Sequence, residues 1–263
     1  MPIKLMAASR RRPGLTRAEY FRYIEHYHGT VARLEPFKIH KYIQNHVIDG
    51  AFGQLSDRDH KCKTQDRECV VELYFKRFPD MIATLDTHGP APSRAAMDGQ
   101  YFADEPTNIL VMAEEVEIPV LNPLPKFNPG LGEPGQGAVR VMHYIKRKPE
   151  VYLQDFHRLW REAHDDAYED SPYAQDNFRK IIANKRCKIA DNDTEARKHF
   201  RMVDHPIYDL VVEITLDSIE QVGAFRQYLD HLQQTKLDFA NWSESFYLYT
   251  RPVRIIDNAP VTV

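Results

Sequence analysis

The chain carries one pattern twice. Ile3-Lys-Leu-Met-Ala-Ala-Ser-Arg-Arg-Arg-Pro13 reappears 136 residues later as Val139-Arg-Val-Met-His-Tyr-Ile-Lys-Arg-Lys-Pro149, with Met6 on Met142 and Pro13 on Pro149. The same offset carries Tyr20 onto Phe156, Ile24 onto Trp160 and His28 onto His164. Val70-Val71-Glu72 then meets Val211-Val212-Glu213 at 141, and Phe102-Ala103-Asp104 meets Phe239-Ala240-Asn241 at 137. Four matched segments in one order, with small changes of offset between them, are the signature of a duplication whose loops have changed length.

The matched segments divide the chain into repeat 1 (residues 1–118), a connector (119–137) and repeat 2 (138–263). The connector is rich in proline and glycine, so it can neither continue a helix nor sit in a central strand. Each repeat reads as strand, helix, strand, strand, helix, strand. In the first, strands fall at 3–10, 39–48, 69–76 and 109–116, and helices at about 17–33 and 78–87. Thr16 and Glu19 form a capping-box pattern at the start of the first helix. In the second, strands fall at 139–146, 179–189, 208–216 and 245–252, and helices at 150–167 and 219–233. This is the ferredoxin-like βαββαβ order. A sheet with helices on one face must bury its other face. The expected fold is therefore α+β: two ferredoxin-like repeats whose sheets close into a single barrel with the helices outside. Two independent units on a string are the alternative.

Arg12-Pro13-Gly14-Leu15-Thr16, Tyr20, Tyr23 and His28, followed by Asn45-His46, resemble the EthD family of the dimeric αβ-barrel superfamily. The likeness covers residues 3–118 and, more loosely, 139–254, where Phe156, Trp160 and His164 take the helix positions. Ile24 stands where the family has Trp, Gly29-Thr30 replaces Gly-Pro, and Asn184-Lys185 replaces the Asn-His pair. The resemblance implies the barrel fold. Its relatives span decarboxylases, isomerases, cyclases, oxygenases and haem enzymes, so the reaction must come from the site itself.

Several residues could carry chemistry. Helical spacing lines up Tyr20, Tyr23 or Ile24, and His28, turning His28 towards the sheet as a general base or acid, or as a residue holding the helix end. Alternation along 39–48 puts Tyr42, Gln44 and His46 on one face, and along 69–76 it puts Glu72 and Tyr74 on one face. Read as lumen-lining, these five give an acid, a base and two phenols. The catalytic set expected is His28, His46, Tyr23, Tyr42 and Glu72, with Gln44, Tyr74, Trp160, His164 and Glu213 as substrate-binding residues. Glu72 and Glu213 either face each other, raising one carboxyl's pKa, or plug the barrel as salt bridges. The loops at 50–67 and 191–205 could serve as lids.

Other classes find no support in the sequence. A net charge of −3 gives no footprint for nucleic acid or an anionic membrane. No apolar run reaches membrane-spanning length. Cys62, Cys69 and Cys187 form no C-x-x-C pair and leave an odd number, which points to a reducing cytoplasm. No metal-ligand spacing, nucleophile elbow or dinucleotide fingerprint occurs. The expected function is a cofactor-independent lyase or isomerase acting on a small aromatic or polyketide-like carbonyl compound. Its partner is a small-molecule substrate, and it works as a monomer or as a homodimer of barrels. The alternatives are a haem- or oxygen-dependent redox enzyme and a non-catalytic small-molecule-binding accessory protein.

Overall fold

The computed structural model describes residues 2–34, 37–48, 63–64, 66–85, 98–123, 137–187 and 207–257. Both expected lids fall largely outside these residues, as do 124–136 of the connector. The strands are β1 (Ile3–Ser9), β2 (Ile39–Val47), β3 (Lys63–Thr64), β4 (Cys69–Phe75), β5 (Ile109–Ile118), β6 (Val139–Ile145), β7 (Lys180–Arg186), β8 (Leu210–Leu216) and β9 (Phe246–Asp257). They lie in the order β2-β4-β1-β5-β7-β8-β6-β9, and β9 pairs back with β2, closing an eight-stranded barrel. Every pairing around the barrel is antiparallel, and β3 adds two residues parallel to β9.

The two halves use the same registers. Met6 faces Glu72 across β1 and β4, and Met142 faces Glu213 across β6 and β8. Isolated bridges join Arg11 to Ala103 and Arg147 to Ala240. The strand β9 runs to Asp257, five residues past the expected end, because its second half pairs with β2 and closes the barrel.

Helices coat the outside. The first helical segment comprises α1 (Arg17–Arg22), a π-helical turn (Tyr23–His28) and α2 (Gly29–Leu34). Thr16 and Glu19 make the expected capping box. Ahead of it, Gly14 has φ +92°, and Leu15 N–H donates to Arg12 carbonyl at 3.2 Å. That turn needs a positive φ at its third position, which glycine adopts without a Cβ clash. Then come α3 (Phe78–Leu85) and α4 (Gly99–Phe102). The second half has α5 (Leu153–Glu169), α6 (Pro172–Asn177), which sequence periodicity missed, and α7 (Val222–Gln234).

The cores sit in layers. Between the second half's strands and helices, Val141, Ile145, Phe156, Trp160, Phe225, Tyr228 and their neighbours form the largest cluster. Inside the barrel lies a second apolar cluster that includes Met6, Val70, Val111, Met142, Tyr144, Val211, Phe246 and Leu248. One part of the barrel is thus filled by side chains from both halves, as expected of a small barrel.

Candidate active site

The five residues read as a shared lumen divide between the two faces of the barrel wall. Gln44, fully buried, donates from Nε2 to the Ile24 carbonyl at 2.7 Å and to the Tyr42 hydroxyl at 2.9 Å. The His46 ring stacks on Phe21 with centroids 4.5 Å apart. Tyr42, Gln44 and His46 therefore face the helices, whereas Ile43, Asn45 and Val47 take the barrel side. This corrects the expected lumen: only Glu72 and Tyr74 point into the barrel. Burial, reinforced by Arg17 and Arg251, holds the His46 imidazole down at about 4, so it is neutral near pH 7.

Inside the barrel the two matched carboxylates are tied by two matched cations. Lys4 Nζ lies 2.6 Å from Glu72 and 3.2 Å from Glu115, and it also binds Glu213. Arg140 Nη1 lies 2.6 Å from Glu72 and 3.3 Å from Glu213. Asn45 Nδ2 donates to Glu72 at 2.6 Å, and Asn184 Nδ2 donates to Glu213 at 2.8 Å. The Tyr74 hydroxyl completes Glu72's shell at 2.7 Å. Burial opposes ionisation of Glu72, but Lys4 and Arg140 overcome it and hold the carboxyl well below the usual range. Of the two readings of this pair, the salt-bridged plug is the one observed.

On the helix side of the first half, His28 finds a partner that sequence reading missed. Its Nδ1 lies 2.8 Å from Asp98 Oδ1, with the two side chains 17% and 7% exposed. A carboxylate on Nδ1 fixes the tautomer and leaves Nε2 for a substrate or a metal. Asp98 Oδ2 is buried with no hydrogen-bond partner. Rings surround the pair: Phe102 at 5.2 Å and Tyr42 at 6.2 Å from the imidazole, and Tyr23 stacked on Phe102 at 5.4 Å. Desolvation, and then the Asp98 charge, push the Tyr23 phenol up to about 12. Tyr23 also borders an open cleft of about 400 Å³ with Glu19, Arg22, His26 and Tyr27.

The π-turn explains how His28 comes to sit here. Gly29 N–H donates to the Ile24 carbonyl, a five-residue step, and the Gln44 amide donates to that same carbonyl. One extra residue in the turn lets Tyr20 and Ile24 bury before it, and Gly29 and Ala32 after it. Such bulges inside helices cluster at functional sites. A Cβ on Gly29 would lie 3.3 Å from the Ile255 side chain, so glycine lets the helix press onto β9.

The matched place in the second half is sealed. His164 is 1% exposed, and its Nδ1 lies 2.8 Å from the Tyr228 hydroxyl. Trp160, fully buried, lies 5.2 Å from it, and Tyr168 stacks at 5.9 Å on a ring plane tilted by 8°. Burial lowers this imidazole to about 4. The sequence could not reveal the contrast, because the partners, Asp98 and Tyr228, occupy unmatched positions.

Comparisons with known proteins follow the geometry. Residues 12–106 match the EthD domain. Comparison with curated protein sequences gives no match. Among solved structures, the barrel is similar to a candidate chlorite dismutase at TM-score 0.54 and 12% identity, covering 100% of both chains. It is also similar to a candidate monooxygenase from Fusobacterium nucleatum at TM-score 0.50 and 9% identity, covering 95% of this chain and 92% of that one. A variant of chlorite dismutase from Candidatus Nitrospira defluvii gives TM-score 0.47 and 11% identity, covering 95% and 91%. These findings run against the expected cofactor-independent lyase or isomerase: the candidate monooxygenase and the candidate chlorite dismutase, which align along almost the whole chain, are named for redox activities. Among the described residues, no helix is long and apolar enough to cross a membrane, and no group of three or more His, Cys, Asp and Glu could hold a metal ion. Residues 12–106 are thus similar to the EthD domain, and the chain as a whole folds into a closed eight-stranded antiparallel barrel with helices outside.

Proposed function

We propose that the chain is an oxygen-dependent redox enzyme acting on a small hydroxyl-bearing aromatic compound at the His28–Asp98 site. The observation that carries this reading is an imidazole positioned by a buried carboxylate, beside a π-turn and among aromatic rings. Asp98 holds Nδ1, so Nε2 is the atom that takes a proton from the substrate hydroxyl. The deprotonated ring is the better electron donor to oxygen. Tyr23 and Phe102 supply flat faces against which such a ring packs. The candidate monooxygenase that shares the barrel supports the reaction class. The donor pair also suits haem: His28 would ligate and Asp98 would orient it, and the group would supply oxygen activation at its iron.

We read the two halves as diverged ferredoxin-like βαββαβ repeats joined by the 119–137 connector, with one working site between them. Their matching strand orders, β2-β4-β1-β5 and β7-β8-β6-β9, support this. The buried free thiols of Cys69 and Cys187 suit the cytoplasm.

The test is oxygen uptake with hydroquinone, catechol and 1,4-naphthohydroquinone as probes, with and without added hemin and corrected for autoxidation. His28→Gln should lower the rate by about a hundredfold or more, and Asp98→Asn by at least about tenfold, in line with the loss of a general base and its orienting partner. Unchanged uptake in a folded His28→Gln variant would remove the site. No uptake by the unaltered protein under either condition would remove the redox reading.

A further inference from the structure

Away from His28, one cation that faces the barrel interior has no counter-ion among the described residues. Lys4 and Arg140 spend their charges on Glu72, Glu213 and Glu115. Lys41 enters the same end of the barrel from β2, in register with Tyr74 of β4 and Asp257 of β9. Among the described residues it makes no ion pair, and Asp257 is engaged by Arg254. Its Nζ lies 4.7 Å from the Tyr74 ring centroid, while Lys4 Nζ lies 4.9 Å from the same centroid. Two ammonium groups thus share one phenol ring. Tyr74 offers neither of them an anion, because its hydroxyl donates to Glu72 and its ionisation is strongly opposed, first by burial and then by Glu72.

This end is open to solvent: Glu115 is 36% exposed, and Lys41 and Tyr74 are partly exposed. A lysine desolvated beside another cation is the arrangement that makes an amine nucleophilic near neutral pH. Burial lowers the Lys41 pKa; Glu72 and Glu115 oppose the shift, and Arg140 and Lys4 reinforce it. An anionic ligand would meet Glu115 and Glu72 at this mouth, whereas a small neutral carbonyl compound meets no like charge.

We propose that Lys41 is a reactive-amine site at the mouth of the barrel that takes small aldehydes as imines. The Nζ lone pair attacks the carbonyl carbon, a C=N bond replaces C=O, and the oxygen leaves as water with both amine hydrogens. The step is redox-neutral and is independent of the His28 site.

The experiment is reductive trapping of the intact protein with propionaldehyde and cyanoborohydride at pH 7, followed by peptide mass mapping. Lys41 should be alkylated several-fold faster than the exposed Lys76 and Lys236, since a lowered pKa leaves more free amine at pH 7. That advantage should shrink towards about pH 10, where ordinary lysines also lose their protons. Equal or slower labelling of Lys41 would overturn the proposal. A Lys41→Arg variant with unchanged circular dichroism should lose the fast site; fast labelling that persists, on Lys4 for example, would overturn the assignment to Lys41.

Discussion

His28 and His164 occupy the same register of the internal repeat, and their partners set them apart. A buried carboxylate holds the His28 ring in place, whereas His164 bonds a phenol inside a sealed core, and burial there keeps its imidazole neutral. His143 is a second neutral imidazole, fully buried beside Phe225 and Trp242 and lowered by burial to about 3. In the unfolded chain both would titrate near 6.5. Below that value the unfolded state binds more protons than the folded one, so stability falls as the pH falls. The contribution is complete above about pH 6.5 and is lost progressively towards the folded values near 4 and 3. Urea denaturation from pH 7.5 to 4.5 should show a falling midpoint, with each histidine contributing on the order of 2 kcal/mol at pH 5. His143→Leu should flatten the slope, and an unaltered slope would show that this residue is not its source. At this scale the sequence aligned His28 with His164 but expected His164 to bind substrate, whereas it is sealed in the core, and it misplaced Tyr42, Gln44 and His46. Both faces of a closed barrel wall are buried, so the alternation of β2 carries little polarity difference to tell inside from outside.

At the scale of the element, the first helical segment reads in sequence as one continuous helix, and its capping box is legible as Thr16 and Glu19. The π-turn inside it is harder to see. Its trace is the spacing of buried residues, Tyr20, Ile24, Gly29 and Ala32, where a five-residue step interrupts the usual three or four. Glycine at the far side of that step hides it from any hydrophobic count. The Gln44 amide bonded to the Ile24 carbonyl braces the turn from β2. Gln44→Leu should therefore cost about 1–3 kcal/mol, the range for leaving a buried acceptor short of its donor. It should also displace His28 from Asp98. Chemical denaturation measures the first effect, and the His28 ring resonances in NMR report the second. A stable variant with unchanged resonances would mean that the turn stands without its brace.

For the whole molecule, the repeat and the need to cover a bare sheet face pointed to the barrel, and the eight antiparallel strands bear that out. What the sequence left as two alternatives was the meaning of Glu72 and Glu213. The answer depended on Lys4 and Arg140, which reach both carboxylates from strands in different halves. Lys4→Met should cost about 3–5 kcal/mol, because it leaves buried carboxylates undercompensated. Adding Glu213→Leu should recover part of that loss, since replacing a buried pair together is far less costly than breaking it. A double variant no better than the sum of the two single ones would show that the charges act separately. Because β2 with β9, and β5 with β7, join one half to the other, urea should unfold the molecule in one transition.

The β2–β9 seam also bears on how the protein is made. Its partners lie roughly 200 residues apart along the chain, and such long-range pairing is slow to form. On the ribosome, β2 emerges early and must wait for residues 246–257 before its outer edge is covered. Until then a growing chain carries an unpaired strand edge beside exposed apolar surface, the kind of species on which holding chaperones act. Loss of β9 would leave that condition permanent, so a chain cut before Phe246 should collect in the insoluble fraction during expression.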